Sequence, residues 1–201
     1  MKSLEQLFFQ RPRILNQLHR LRLAHATSQT TTEERAALER YATGARKALE
    51  IGTYQGVSAV RIARALAPDG ILFCVDPWLG KNGRTDPCWQ ICERNLLRAN
   101  VRHKVRILRA FTSEIESELP TNLDFSFIDG DHSMKGIETD WRIVSPRMRQ
   151  QGVICLHDSV TPVAEPWRHL DSVDYYQDVI SKDWNFETIQ IVHSMAVVRR
   201  R

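Results

Sequence analysis

Residues 47–59 read KALEIGTYQGVSA, and residues 71–78 read ILFCVDPW. Each stretch predicts a buried strand, and the first strand leads through a glycine-bearing loop into a helix that begins near Val57. The second strand ends in Asp76, at the position where open α/β sheets bind ligands. This order of strand, glycine loop, helix and strand with a terminal carboxylate is typical of a nucleotide-binding βαβ unit.

The glycine loop predicts close contact between the backbone and a ligand. Gly52 and Gly56 have no Cβ, so the chain can turn sharply and lie against a bound molecule. Ser58 lies at the start of the helix, where free N–H groups attract a carboxylate or another anion. Asp76 can accept both hydrogens of a ribose diol. The loop lacks the third glycine that dinucleotide-binding loops place against a pyrophosphate, which argues against a NAD(P)-dependent oxidoreductase.

The stretch from Leu49 to Arg64, LEIGTYQGVSAVRIAR, resembles the first motif of class I S-adenosylmethionine (SAM) methyltransferases. More narrowly, it resembles the small metal-dependent O-methyltransferases of the catechol and caffeoyl-CoA type, and the similarity extends from Thr32 to Asp158. The resemblance implies SAM as the cofactor and a hydroxyl-bearing small molecule as the substrate. Two other interpretations stay open, a NAD(P)-dependent oxidoreductase and a non-catalytic methyltransferase-like binding protein.

The loop geometry and the resemblance together select the cofactor-binding residues. These are Glu50, Gly52, Tyr54, Gly56, Ser58, Asp76, Trp78, Thr112, Ser113 and Asp129. Thr112 and Ser113 match positions where family members hold the adenine edge, and either is equally suited to capping a helix. Tyr54 is expected beside the methionine part of SAM and Trp78 against the ligand, although aromatic residues at such positions also serve in packing.

Carboxylates also follow two later predicted strands. Residues 128–133 read IDGDHS, and residues 155–159 read CLHDS. In a parallel sheet, Asp129 and Asp158 emerge at the same edge as Asp76, and strands about 4.8 Å apart allow two carboxylates to share one cation. Oxygen ligands favour Mg²⁺, Mn²⁺ or Ca²⁺, and such a cation would lower the pKa of a substrate hydroxyl.

The resemblance implies a metal-ligand set and a catalytic base. In the resembling O-methyltransferases, the ligands are two aspartates and the asparagine after the second one, which correspond here to Asp129, Asp158 and Ser159. His132 stands where those enzymes have a lysine base, and an imidazole is a competent base near neutral pH. Asp129 and His132 are thus the expected catalytic residues, with Mg²⁺ as the expected cation. Helix capping or ribose contacts are the alternatives. His157 lies next to this set, but a strand should point its side chain the opposite way.

The remaining pattern predicts a single α/β domain. We expect a Rossmann-like, doubly wound, mostly parallel seven-stranded sheet with an antiparallel strand from a C-terminal hairpin. Residues 1–45 are expected to form an N-terminal helical cap and residues 46–201 the core. The predicted strands cover residues 47–51, 71–76, 105–108, 123–128, 153–156, 187–192 and 195–198. The predicted helices cover residues 30–41, 57–67, 87–99, 134–148 and 166–180, and Pro12 separates two further helices within residues 3–27.

Composition limits the partners and the location. The chain has 28 basic and 24 acidic residues and a net charge of +4, without a basic block interleaved with aromatic residues, so nucleic acid is an unexpected partner. Its four cysteines lack zinc-site spacing and fit a reducing, cytoplasmic setting. Without a signal peptide or an apolar run of about 18 residues, no membrane span is expected. The apolar residues near the start of the chain would suit a cap over the site or a homodimer.

Overall fold

The computed structural model describes residues 11–79 and 86–201. Its strands are β1 (Lys47–Ile51), β2 (Ile71–Val75), β3 (Val105–Leu108), β4 (Leu123–Ile128), β5 (Met148–Leu156), β6 (Phe186–Val192) and β7 (Met195–Arg200). They form one sheet in the order β3-β2-β1-β4-β5-β7-β6. The strand β7 pairs antiparallel with β5 and β6, whereas the pairs among β1 to β5 are parallel. The predicted fold class is confirmed.

Helices cover both faces of this sheet. They are α1 (Pro12–Arg20), α2 (Thr32–Ala42), α3 (Val57–Ala65), α4 (Cys88–Arg98), α5 (Met134–Val144) and α6 (Asp171–Asp178). Side chains alternate along β1, so Ala48 belongs to the core cluster that contains residues of α2, α3 and α4. Leu49 and Ile51 belong to the opposite cluster, which contains residues of α5 and α6. Among the described residues, no helix is both long and apolar enough to cross a bilayer.

The region around Pro146 differs from the prediction. We expected a helix over residues 134–148 and a strand that begins at residue 153. Instead α5 ends at Val144, a 3-10 turn covers Ser145–Arg147, and β5 begins at Met148. The pairing of β4 with β5 shifts register between Leu123 and Phe125, so the polar residues before Gly152 are accommodated as an irregularity of β5. The helix predicted over residues 166–180 is also shorter, because α6 covers only Asp171–Asp178.

The helix α1 packs against α4. Pro12 is its first residue, as expected of a residue without a backbone N–H. The earlier of the two helices predicted within residues 3–27 lies largely outside the described residues. Leu15 and His19 are buried, and the guanidinium of Arg98 donates to the backbone oxygen of His19 at 2.9 Å. Burial, together with the charges of Arg98 and Arg94, lowers the pKa of His19 to about 4.

Candidate active site

A cavity of about 700 Å³ opens at the carboxyl ends of the central strands. Seven of the predicted cofactor residues line it, namely Gly52, Tyr54, Ser58, Asp76, Thr112, Ser113 and Asp129. The predicted base His132 lines it as well. Glu50, Gly56 and Trp78 lie outside the lining. The volume is in the range that holds a ligand of cofactor size.

The two loop glycines serve different purposes. Both have left-handed backbones, with φ of 84° at Gly52 and 75° at Gly56. A Cβ on Gly52 would lie 1.9 Å from the backbone oxygen of Asp129, so this glycine allows the loops after β1 and β4 to touch. A Cβ on Gly56 would lie 2.9 Å from Sγ of Cys92. Gly56 therefore permits close packing of α4, rather than the approach of a ligand.

Asp76 joins the loops that follow β1 and β2. Its Oδ2 accepts the N–H of Tyr54 at 2.8 Å, and its Oδ1 accepts the N–H of Trp78 at 2.7 Å. Both partners have left-handed backbones, with φ of 48° at Tyr54 and 42° at Trp78. Burial raises the pKa of Asp76, while these two hydrogen bonds favour its ionised form. A carboxylate oxygen that accepts one such bond can accept another, so Asp76 can still bind a diol.

The structure corrects the prediction for Trp78. The residue is 2% exposed and lies outside the cavity lining, so it does not stack on a ligand there. Its indole N–H donates to the backbone oxygen of Tyr54 at 2.7 Å, and its ring lies 5.1 Å from that of Trp89. Trp78 therefore packs in the core, and its hydrogen bond to Tyr54 holds the glycine loop against it.

Glu50 lies beneath the glycine loop and is fully buried. The thiol of Cys74 donates to its Oε2 at 3.4 Å, and Oε1 makes no hydrogen bond within the described residues. Burial raises the pKa of Glu50 to about 7. A buried oxygen without a partner retains the capacity to bind a polar group directly or through water.

Asp129 and Asp158 meet two histidines at the edge of the cavity. Nε2 of His132 lies 3.4 Å from Oδ1 of Asp129 and 3.9 Å from Oδ2 of Asp158. Nδ1 of His157 lies 2.9 Å and 3.7 Å from the same two oxygens. The structure thus brings the two predicted aspartates and the predicted base into one cluster, and it adds His157.

The place of His157 differs from the prediction. We expected its side chain to point away from Asp158, as alternation along a strand requires. However, β5 ends at Leu156, and the backbone of Asp158 is left-handed with φ of 51°. Alternation therefore does not extend to Asp158, and both side chains reach the cluster.

Ser159 does not join this cluster. Its hydroxyl donates to the backbone oxygen of Leu156 at 2.7 Å and accepts the N–H of Ala196 at 3.1 Å. These bonds join the end of β5 to β7 in a fully buried position. This geometry removes Ser159 from the predicted ligand set.

Ser172, the second residue of α6, makes hydrogen bonds to the loops that follow β4 and β5 and carry the cluster. Its N–H donates to the backbone oxygen of His132 at 3.2 Å. Its hydroxyl donates to the backbone oxygen of Asp158 at 2.6 Å. The start of α6 therefore fixes the chain at two of the four cluster residues.

The donor set fits a divalent cation. Asp129, His132 and His157 each offer one ligand atom, and these atoms lie within 4.8 Å of one another. Nδ1 of His157 faces Oδ1 of Asp129, and Oδ1 of Asp158 is buried without a hydrogen bond in the described part of the chain. Such atoms suit coordination to a metal, and imidazole nitrogens shift the preference from Mg²⁺ toward a transition-metal ion.

Charges within the cluster compensate one another. Burial by itself would lower the pKa of His157, but hydrogen bonds with Asp129 and Glu34 and the nearby negative charges raise it to about 10. Burial would raise the pKa of Asp129, but hydrogen bonds with His132 and His157 lower it below its usual value. The guanidinium of Arg168 pairs with Asp158. A metal that binds His157 would therefore release a proton.

Several charged residues of the site carry no role in the prediction from sequence, and three of them bear on its chemistry. Glu34 contacts His157, Arg168 pairs with Asp158, and Asp140 lines the cavity. Burial raises the pKa of Asp140 to about 6. Only Glu34 carries a local signal, because Thr31 and Glu34 have the spacing of a helix capping box. The other two reach the site from elements whose placement depends on the whole fold.

Residues 49–159, more than half of the chain, match the family model of a methyltransferase domain. This chain belongs to that methyltransferase family. The match favours methyl transfer over the oxidoreductase considered above. No curated protein sequence matches this methyltransferase.

Solved structures share the fold of this methyltransferase. The cofactor-bound Rv0187 protein from MTB is 18% identical, with a TM-score of 0.70, over 94% of this chain and 89% of that one. The O-methyltransferase TomG from Streptomyces achromogenes, in complex with SAM, is 20% identical, with a TM-score of 0.67, over 94% and 87%. The O-methyltransferase from Bacillus cereus, in complex with S-adenosylhomocysteine (SAH), is 19% identical, with a TM-score of 0.67, over 99% and 97%.

Proposed function

We propose that this methyltransferase transfers the methyl group of SAM to a hydroxyl oxygen of a small molecule, with a divalent cation at the acceptor side. One observation carries the proposal: Asp129 and His132 belong both to the cavity lining and to the candidate cation cluster. A methyl donor in the cavity would therefore lie beside a hydroxyl bound at the cluster. The fold shared with O-methyltransferases in complex with SAM and SAH supports this assignment.

The cavity lining suggests how SAM is held. We assign the ribose hydroxyls to Asp76 and the adenine side to Thr112 and Ser113. The methionine part is assigned to the glycine loop at Gly52 and Tyr54. The N-terminus of α3 attracts the carboxylate of the cofactor, as helix N-termini do for anions.

Proton removal is assigned to the more accessible imidazole. The side chain of His132 is 28% exposed, whereas that of His157 is 2% exposed. His132 can therefore accept the proton of a substrate hydroxyl at a ring nitrogen. Asp129 and His157 would hold the cation, with the carboxylate of Asp158 beside them, and a bound cation would lower the pKa of the hydroxyl.

Other features remain predictions from the sequence. They are the cytoplasmic location, the homodimer, the lack of a nucleic-acid partner and the functional division of the chain near residue 45. Arg168, which pairs with Asp158, is a partly exposed cation beside the cluster. A hydroxyl-bearing small molecule is the substrate class that the cluster supports.

Calorimetric titration with SAH tests the proposal. We expect SAH to bind and NADH not to bind. Asp76→Asn should weaken SAH binding about 10- to 100-fold, because a hydrogen bond to a charged group contributes about 1.5–3 kcal/mol. Asp69→Asn is the matched control, since that carboxylate lies in an exposed turn. Failure of the native protein to bind SAH would refute the methyl-donor assignment.

A further inference from the structure

Glu34 extends from the N-terminal helices to the catalytic edge of the sheet. It lies in the first turn of α2, and its N–H donates to the hydroxyl of Thr31 at 3.1 Å. In return, its Oε2 accepts the N–H of Thr31 at 2.7 Å, which completes a capping box. A capping box does not require burial, yet the side chain of Glu34 is fully buried. A buried carboxylate needs further partners, and these point to a second role.

The other partners of Glu34 lie far away in the chain. Its Oε1 accepts the N–H of Ser194 at 3.1 Å and the hydroxyl of Ser194 at 2.8 Å. Its Oε2 lies 3.5 Å from Nε2 of His157. Burial alone would raise the pKa of Glu34, but hydrogen bonds with His157, Thr31 and Ser194 lower it to about 2. An ionised carboxylate thus joins α2, the turn between β6 and β7, and His157.

His157 is held between two carboxylates. Its Nε2 faces Glu34, and its Nδ1 lies 2.9 Å from Oδ1 of Asp129. Its ring packs edge-on against Phe127, with the ring centres 6.3 Å apart. Histidines that bind metals generally donate their second ring N–H to a carboxylate, which fixes the tautomer and the orientation of the ring. The contacts of His157 have that arrangement.

We propose that Glu34 is a positioning residue for the cation site. It holds the Nε2–H of His157, so that Nδ1 faces Asp129 and the cation. This inference rests on the proposed function, because it takes a cation as the occupant of the cluster. The N-terminal helices then contribute to the chemistry through one side chain, in addition to covering the core.

The test compares Glu34→Gln with Thr31→Ala. Glu34→Gln keeps the size of the side chain but removes its charge beside His157. We expect Mn²⁺ affinity, measured from the electron paramagnetic resonance signal of free Mn²⁺, to fall about 10- to 100-fold, while SAH affinity is unchanged. Thr31→Ala breaks the same capping box without touching His157, so it should lower stability and leave Mn²⁺ affinity unchanged.

Each other outcome is decisive. Equal Mn²⁺ affinity in Glu34→Gln and the native protein would overturn the positioning role and leave the proposed function standing. Equal losses in Glu34→Gln and Thr31→Ala would assign the effect to helix capping and overturn the role as well. A native protein that binds SAH but no Mn²⁺ would refute both the cation assignment and this inference. If Glu34→Gln fails to fold, Glu34→Asp, which withdraws the carboxylate from His157 but keeps its charge, should show the same loss of Mn²⁺ affinity.

Discussion

Two glycines with similar backbone angles should respond differently to substitution. Gly52 has φ of 84°, and its added Cβ would lie 1.9 Å from the oxygen of Asp129. Gly44 has φ of 76°, with nothing within 4 Å of its added Cβ. A left-handed backbone costs an ordinary residue about 1–2 kcal/mol. Gly44→Ala should lose about that much unfolding free energy, and Gly52→Ala should lose at least about twice as much because it also separates two loops.

Urea denaturation of both variants measures this difference. The Gly44→Ala protein is the control for the left-handed angle alone. Similar losses in the two variants would mean that the contact between Gly52 and Asp129 can relax at little cost. The steric account of the glycine loop would then be wrong.

Single residues show where sequence reasoning succeeds and where it fails. Asp76 could be placed from sequence because it directly follows an apolar strand. The directions of the Trp78 and His157 side chains could not, because they depend on left-handed backbone angles at Trp78 and Asp158. Ser159 was misassigned for a related reason, since its buried hydrogen bonds depend on how β7 pairs with β5.

At the scale of elements, the docking of α1 on α4 should depend on pH. His19 is buried between them, and its pKa is lowered to about 4 by burial and by Arg98 and Arg94. Between pH 6.5 and 4, the unfolded chain therefore binds a proton at His19 that the folded chain does not. Stability must fall as the pH falls through this window, by at most about 1 kcal/mol per pH unit.

The comparison of native protein with His19→Gln isolates this effect. Unfolding free energies at pH 7 and pH 5 should differ less in the variant, because glutamine does not titrate. Glu50 and Asp140 have raised pKa values and also titrate near this range, but they are common to both proteins and cancel. If the unfolding free energy changes equally between pH 7 and pH 5 in the native protein and in His19→Gln, then the surroundings of His19 do not lower its pKa.

Elements with continuous apolar runs were predicted with nearly correct bounds. β1, β3 and β4 begin and end at the expected residues. β5 begins earlier than expected because its first half, Met148–Gly152, is mostly polar and pairs irregularly with β4. The helix α6 begins at Asp171 rather than at residue 166, since nothing local distinguished residues 166–170 from a helix.

At the scale of the whole molecule, β7 is an interior strand of the sheet although it lies last in the sequence. It pairs with β5 on one side and β6 on the other, and its residues from Met195 to Val198 are buried. Removal of residues 193–201 should therefore abolish cooperative unfolding, because it opens the core and detaches β6. Removal of the exposed Arg201 alone should leave the thermal transition nearly unchanged. Circular dichroism during heating distinguishes the two truncated proteins, and a cooperative transition in the shorter one would contradict the prediction.

The global arrangement explains which parts of the site were predictable. Parallel strands necessarily present their carboxyl ends at one edge, so Asp76, Asp129 and Asp158 could be grouped from topology. Glu34 and Ser194 could not, because nothing in their local sequence indicates that they meet. Their contact requires the N-terminal helix and the C-terminal turn to pack on the same side of β5.

The hydrogen bonds between Glu34 and Ser194 join positions that are 160 residues apart. A ribosome synthesises the chain from its N-terminus, so the strands that carry Asp76 and Asp129 emerge well before Ser194 does. Because β7 is an interior strand, the core beneath the cofactor edge is completed, and Glu34 gains its full set of partners, only when the hairpin of β6 and β7 has been synthesised. A polypeptide that lacks this hairpin would thus have neither a stable cofactor edge nor the cation cluster, and methyl transfer would require the hairpin to be in place.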